Sequence, residues 1–298
     1  MIPMIDAHHH IWRQADLAWL NGPMQPRIFG DYKSIMRDYP INEFRDDLKD
    51  SNVVASVYCQ TNWPKGQDVD EAAWVQSVAD ESGWPMAIVG YADLMNPDAA
   101  DVLKAQSQYA NMRGIRMQLH WHEEELYRFQ PTPDLMNDPL FRRNLGLLRD
   151  YGWLFELQVF PSQYEDSAKL VAAFPDIDFV LLHAGMLVST DDAVRGPWRE
   201  GLKRLAEQPN VFTKLSALGT FINANSVDHI RDVALETIGI FGFERCVFGS
   251  NFPIEKLWTT YKELSDAHRE ALSSLAVEQQ RAIFFENAKR LYKIDIDG

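Results

Sequence analysis

The chain has 298 residues, 46% of them hydrophobic, and a formal charge of −14, so it can bury a sizeable core as one large domain or two smaller ones. An acidic balance without any basic block excludes a nucleic-acid footprint, and no apolar run reaches the roughly 18 residues of a membrane span. Only Cys59 and Cys246 are present, both inside apolar runs, which excludes a disulfide framework or a zinc ribbon. With no basic stretch ahead of an apolar one at the start, the expectation is a cytoplasmic chain with neither membrane nor nucleic acid as partner.

The first organised stretch is Asp6-Ala7-His8-His9-His10, which follows Ile2, Met4 and Ile5. Read as a strand from Ile2 to His10, it places Asp6, His8 and His10 on one face and Ala7 and His9 on the other. Two imidazoles then converge at a strand end, where such a pair binds a divalent metal or exchanges protons with a substrate. Trp12 to Pro40 contains Gly22-Pro23, Pro26 and Gly30 without periodicity, and reads as a long functional loop.

Beyond it, short apolar runs alternate with longer segments of helical period. Strands are predicted at Val53 to Gln60, Met86 to Tyr91, Met112 to Leu119, Leu154 to Val159, Phe179 to His183, Val211 to Leu215 and Cys246 to Gly249. Helices are predicted at Ile41 to Asp50, Asp68 to Ser82, Asp98 to Tyr109, Pro139 to Asp150, Tyr164 to Phe174, Pro197 to Glu207, Val227 to Phe241 and Lys256 to His268. A last helix, Val277 to Tyr292, carries Ile283, Phe284, Ala288 and Leu291 and is expected to cover the barrel's side or bottom. Eight β-then-α units predict one α/β domain over residues 1–298, a (β/α)8 TIM barrel, with a doubly wound open sheet as the alternative. No glycine-rich phosphate loop follows any strand, which weakens the dinucleotide-binding version.

In a barrel the chemistry belongs at the C-terminal strand ends, and the polar residues fall there. Strand two ends with Gln60 and Asn62 on one face. The fourth strand puts Arg116, Gln118, His120 and His122 on one side, although His122, beside Glu123-Glu124-Glu125, reads as part of a solvated loop. Strand five turns Glu156 and Gln158 inward, strand six ends at His183, strand seven pairs Lys214 with Ser216, and strand eight aims Asn251 at the mouth after Gly249.

Asp6-x-His8-x-His10, Gly114-Ile115-Arg116, His183, Lys214-Leu215-Ser216, Gly249-Ser250-Asn251-Phe252-Pro253 and Asn287-Ala288-x-x-Leu291-Tyr292 together resemble the amidohydrolase superfamily, across essentially the whole chain. More narrowly, the set resembles its "amidohydrolase 2" branch of sugar-lactone and pyrone-dicarboxylate lactonases. The resemblance implies a barrel hydrolase that opens a lactone in carbohydrate or aromatic catabolism. Two departures stand out. The family carries Asp where this chain has Asn251, and an amide has no basic lone pair to take a proton from water. Metal-dependent relatives place His or Lys on strands four or five, where this chain offers Arg116, Glu156 and Gln158.

The site expected from these residues needs no cofactor, with zinc held by His8, His10 and His183 as the alternative. Arg116 and Lys214 are expected to bind a carboxylate of a small-molecule substrate, with Gln60, His120 and Ser216 also in contact. The lactone carbonyl is polarised by His8, His10 and Gln158, while His183, with an unperturbed pKa of about 6.5, serves as base. Asp6 and Glu156 stand behind them, Asp6 as an acceptor that orients the histidines; an internal ion pair is the competing reading for Glu156 and Lys214. Competing functions on the same barrel are lactone isomerisation, metal-dependent decarboxylation, or binding without catalysis. A homo-oligomer is compatible with the sequence.

Overall fold

A computed structural model describes residues 1–296. Eight parallel strands, β1 (Met4–His9), β2 (Val53–Cys59), β3 (Ala87–Gly90), β4 (Met112–Ile115), β5 (Leu154–Leu157), β6 (Phe179–Leu181), β7 (Val211–Leu215) and β8 (Cys246–Phe248), pair in sequence order. The seam between β8 and β1 closes at its upper rim. His9 bridges Phe252 in parallel, Asn251 N donates to His8 O at 2.7 Å, and His10 N donates to Phe252 O at 2.7 Å. The fold is therefore the (β/α)8 barrel; the doubly wound alternative needs an open sheet with a reversal of strand order, and neither occurs.

Helices follow the strands where local signals placed them. Asp138 caps Pro139–Leu145 by accepting from Leu140 N at 2.7 Å, and Gly83 at φ +76° ends Asp68–Ser82. Other boundaries move. The helix expected from Pro197 starts at Asp192, so Pro197 lies inside it and leaves the Ala193 carbonyl without its intrahelical donor. The helix expected from Lys256 starts at Tyr261 behind a Thr260–Glu263 capping box. The long loop after β1 contains a one-turn helix, Ala18–Asn21, and its ends are tied by an antiparallel bridge between Trp12 and Tyr39.

The core has two layers. Outward residues of the strands, such as Ile88, Ile115, Phe155, Leu181 and Phe248, pack against the helices. Inward residues Ile5, Ala7, Ala55, Val57, Ala87, Val89, Val180 and Val247 form a second cluster with Phe285, Ala288, Leu291 and Tyr292. The C-terminal segment, helical over Val277–Arg281 and Asn287–Leu291 with a π-turn between, thus plugs the lower end of the barrel. No helix among the described residues is long and apolar enough to cross a membrane.

Candidate active site

The upper mouth opens into a cavity of about 230 Å³ lined by residues from seven strand ends, including His10, Gln60, Arg116, Gln158, His183, Ala217 and Asn251. Its backbone is unusual for side-chain-bearing residues: Asn62, His183, Ala184, Met186, Ala217 and Asn251 all have positive φ. Each such residue costs on the order of 1–3 kcal/mol and persists only where the surroundings impose it, and here all six end strands at the mouth.

β1 departs from the expected alternation. Asp6 pairs with Ser56 but His9 with Tyr58, so β1 spends three residues where β2 spends two. This bulge re-aims the side chains. His8 and His10 turn inward, with ring centroids 5.1 Å apart, and His8 lies 4.9 Å from His183. His9 points outward and stacks on Phe44 at 3.9 Å. Asp6 goes to the other side from His8 and never meets a histidine ring. Its Oδ1 accepts from His8 N at 3.1 Å and Ser250 N at 2.8 Å, and its Oδ2 from Ser250 Oγ at 2.5 Å and Tyr261 OH at 2.9 Å. Asp6 therefore pins the seam and the His8 backbone. Gly249 is needed beside it, since a Cβ there would lie 2.7 Å from His8 Cβ.

Beneath the histidines, Lys214 is fully buried, with Nζ 2.5 Å from Glu156 Oε1 and 2.5 Å from the Ala7 carbonyl. The Tyr292 hydroxyl donates to the same Glu156 oxygen at 3.0 Å. Lys214 does not line the cavity, so the expected anion-binding lysine is instead one half of an internal ion pair, as a buried charge without solvent requires. Ser216 is likewise turned from substrate to support: its Oγ lies 2.9 Å from His183 Nδ1. Gln60 faces the cavity but is engaged, donating to Gln118 Oε1 at 3.0 Å and accepting from Asn62 N at 2.6 Å.

Arg116 is 5% exposed and has no carboxylate partner among the described residues; it donates to the Gln60 carbonyl, and its Nε has no partner. Gln158 Oε1, His120 Nδ1 and His8 Nε2 are buried and unpartnered as well. Arg116, Gln158 and His120 line the cavity, and His8 packs behind His10 and His183. Burial, reinforced by the cations Arg116 and Lys214, holds His8 and His183 well below the usual histidine range, and burial takes His10 and His120 down to about 3. The imidazoles are neutral at pH 7. This removes the premise for His183 as a base titrating near 6.5: it offers a lone pair but little basicity.

Several cavity residues carry no motif and are invisible to strand-end reasoning. Arg27 and Phe29 come from the loop after β1, Tyr127, Arg128 and Phe129 from the loop after β4, and Thr220 and Phe221 from the loop after β7. His122, on the loop after β4, sits outside the cavity lining, its ring 5.0 Å from that of Phe160.

With this geometry in place, comparison with known proteins is decisive. The family model described as Amidohydrolase matches residues 5–294. The chain belongs to the amidohydrolase family. Among its relatives, protein y4mH of Sinorhizobium fredii is 35% identical to this amidohydrolase over 98% of the chain and 99% of its own length. An L-fucono-1,5-lactonase of Burkholderia multivorans is 28% identical over 97% and 96% of the two chains. A Burkholderia multivorans amidohydrolase solved with bound zinc superposes with a TM-score of 0.81 at 27% identity, covering 98% of this chain and 100% of that one.

That last structure corrects the expectation of a metal-free site. The amidohydrolase described here also has a donor group of its own: ligand atoms of His8, Cys59 and Glu156 all lie within 4.8 Å of one another. The Lys214 ammonium already stands among them, 3.2 Å from His8 Nδ1 and 3.5 Å from Cys59 Sγ. On the cavity side the donors are unoccupied by any such cation. His10 Nδ1 donates to the Cys59 carbonyl at 2.7 Å and its ring also hydrogen-bonds the Asn251 side chain, while His183 is steadied through Nδ1 by Ser216. His8 completes the set in the tautomer that turns Nδ1–H to Cys59 Sγ, 3.4 Å away, and frees Nε2. Imidazole is a usual zinc donor, so these three neutral rings are candidates to hold the metal, but among the described residues only His8, Cys59 and Glu156 have ligand atoms that already lie within 4.8 Å of one another.

Proposed function

We propose that this amidohydrolase is a zinc-assisted lactonase that opens the cyclic ester of a small, anionic or polyhydroxylated molecule. The observation that carries the reading is the convergence on one cavity of Arg116 Nε, His120 Nδ1 and Gln158 Oε1, buried and without partners, with His8 Nε2, also unpartnered, packed directly behind His10 and His183. Unpaired buried polar atoms are costly, and a ligand that satisfies them recovers that cost on binding.

In this reading His8, His10 and His183 would hold the metal. Bound zinc supplies Lewis-acid polarisation of a carbonyl and makes water acidic enough to lose a proton near neutral pH. The rest falls to the protein. Arg116 grips a carboxylate or a pair of hydroxyls with its fork, fixing the ring's orientation. His120 and Gln158, on neighbouring strands, meet the ring's remaining polar groups. Phe29, Tyr127, Phe129 and Phe221 from the surrounding loops exclude bulk water, which strengthens each of these contacts. The names of the curated relatives support a sugar 1,5-lactone as the first substrate class to try.

The test is a panel of sugar and dicarboxylate lactones assayed by acid release, with protein stripped of metal and then reloaded with zinc. Hydrolysis that returns with about one zinc per chain, and that His10→Ala and His183→Ala both lose along with the zinc, is the expected result. A rate that is unchanged after stripping, or conversion to a second lactone without acid release, would overturn it.

A further inference from the structure

The cavity lacks a competent base. Its histidines are neutral and weakly basic, Asn251 is an amide, Arg116 is a cation, and the one lining carboxylate, Glu125, is exposed on the loop after β4. One carboxyl lies immediately behind the wall. Glu255, on the segment that follows β8, is 1% exposed. Its Oε1 is 3.0 Å from Thr220 Oγ1, its Oε2 accepts from Trp258 Nε1 at 2.9 Å, and the Asn251 side chain also hydrogen-bonds it. Thr220 and Asn251 both line the cavity, so Glu255 reaches the site through two residues and touches it through neither of its own oxygens.

We propose that Glu255 is the proton acceptor of the site, working through the Thr220 hydroxyl. The step balances without any added reagent. A cavity water gives a proton to Thr220 Oγ as Thr220 passes its own to Glu255 Oε1. The water O–H and threonine O–H bonds break, and new O–H bonds form on the threonine and on the carboxyl. The electron pair left on the water oxygen is the nucleophile. After the ring opens, the same two transfers in reverse return the proton to the departing alkoxide.

The groups that face the Glu255 carboxyl are Thr220 and the Gly219 backbone from the loop after β7, and Asn251 and Trp258 from its own segment; none is charged. Burial in these surroundings pushes the carboxyl up to about 8. The relay therefore works in the ionised form, and activity climbs as pH rises through that value. A zinc-bound water gives a rising limb as well, so the loss of the limb in the Thr220 and Glu255 variants is what assigns it to the relay.

The proposal rests on the hydrolytic reading above, and its test separates the two. On a lactone that the protein turns over, kcat/KM of the wild type rises to a plateau above about pH 8. Thr220→Val and Glu255→Gln lose the rising limb and on the order of a hundredfold of the plateau rate. Thr220→Ser keeps the wild-type profile. Independently of any substrate, infrared difference spectra show a carboxylic-acid C=O band that disappears between pH 7 and pH 10, present in Thr220→Val and missing in Glu255→Gln. A Thr220→Val enzyme with the wild-type profile, a limb that survives in Glu255→Gln, or a limb near pH 8 without the band would overturn the proposal. An inert lactone panel with the band in place would count against the substrate class and leave the protonated Glu255 standing.

Discussion

Glu255→Gln makes a prediction about stability that holds whatever the substrate is. In the unfolded chain this carboxyl titrates near 4.5, and in the folded protein burial raises it to about 8. Between those values the native state keeps a proton that the unfolded state has released, so stability falls as pH rises through the window. The contribution is fully present below pH 4.5 and gone above pH 8. A displacement of that size corresponds to about 5 kcal/mol at 1.36 kcal/mol per pH unit, or a shift in Tm on the order of 10 °C for a chain of this length. Glutamine keeps the shape and a donor but cannot ionise. The wild type should therefore lose about 5 kcal/mol relative to Glu255→Gln between pH 4.5 and pH 9, as measured by urea unfolding at intervals of one pH unit. Other raised carboxyls, such as Asp6 and Asp68 at about 6, act equally on both proteins and cancel in the difference. Parallel stability curves for the two proteins would refute the reasoning, because they would mean that Glu255 is ionised in the fold at neutral pH.

Two further expectations concern the charges at the barrel's centre. Lys214→Met strands a buried Glu156 carboxylate and should cost about 3–5 kcal/mol, whereas the double change Lys214→Met with Glu156→Leu should cost less than the sum of its parts. A coupling near zero in that cycle would sink the ion pair. Arg116→Gln should raise KM for a carboxylate-bearing lactone by about 10- to 100-fold, the worth of a charged hydrogen bond, with kcat changed only a few-fold. Loss in kcat at constant KM would instead place Arg116 in the chemistry.

The barrel and its polar mouth were legible because alternation of short apolar runs with helical periods is a local signal, and eight repeats of it admit few topologies. His8, His10, Arg116, Gln158, His183 and Asn251 were placed at the mouth by the rule that barrel chemistry sits at strand ends, and all but His8 line one cavity, which His8 adjoins through His10 and His183. Asp6 was misplaced because a bulge is a property of two strands in register, and nothing in Asp6-Ala7-His8 alone shows that β2 is one residue shorter there. The Lys214–Glu156 pair was left open because it crosses the lumen from β7 to β5, a neighbourhood fixed by closure and not by spacing. Glu255 and Thr220 were missed altogether. Each is an ordinary loop residue until two segments 35 residues apart meet behind the cavity.

The bonds that hold the first strand's histidines come from far along the chain. Asp6 is tied to Ser250 across 244 residues and to Tyr261 across 255, and Glu156 is steadied by Tyr292 across 136. During synthesis the histidines emerge first, yet they have no lasting geometry until β8 and the plug segment arrive. Any metal met before then finds a mobile chain that binds it poorly, so loading should follow folding, not guide it. Cutting the chain just before Asn287 would spare every strand and every cavity-lining residue, while removing the Tyr292 hydroxyl from beneath the Lys214–Glu156 pair.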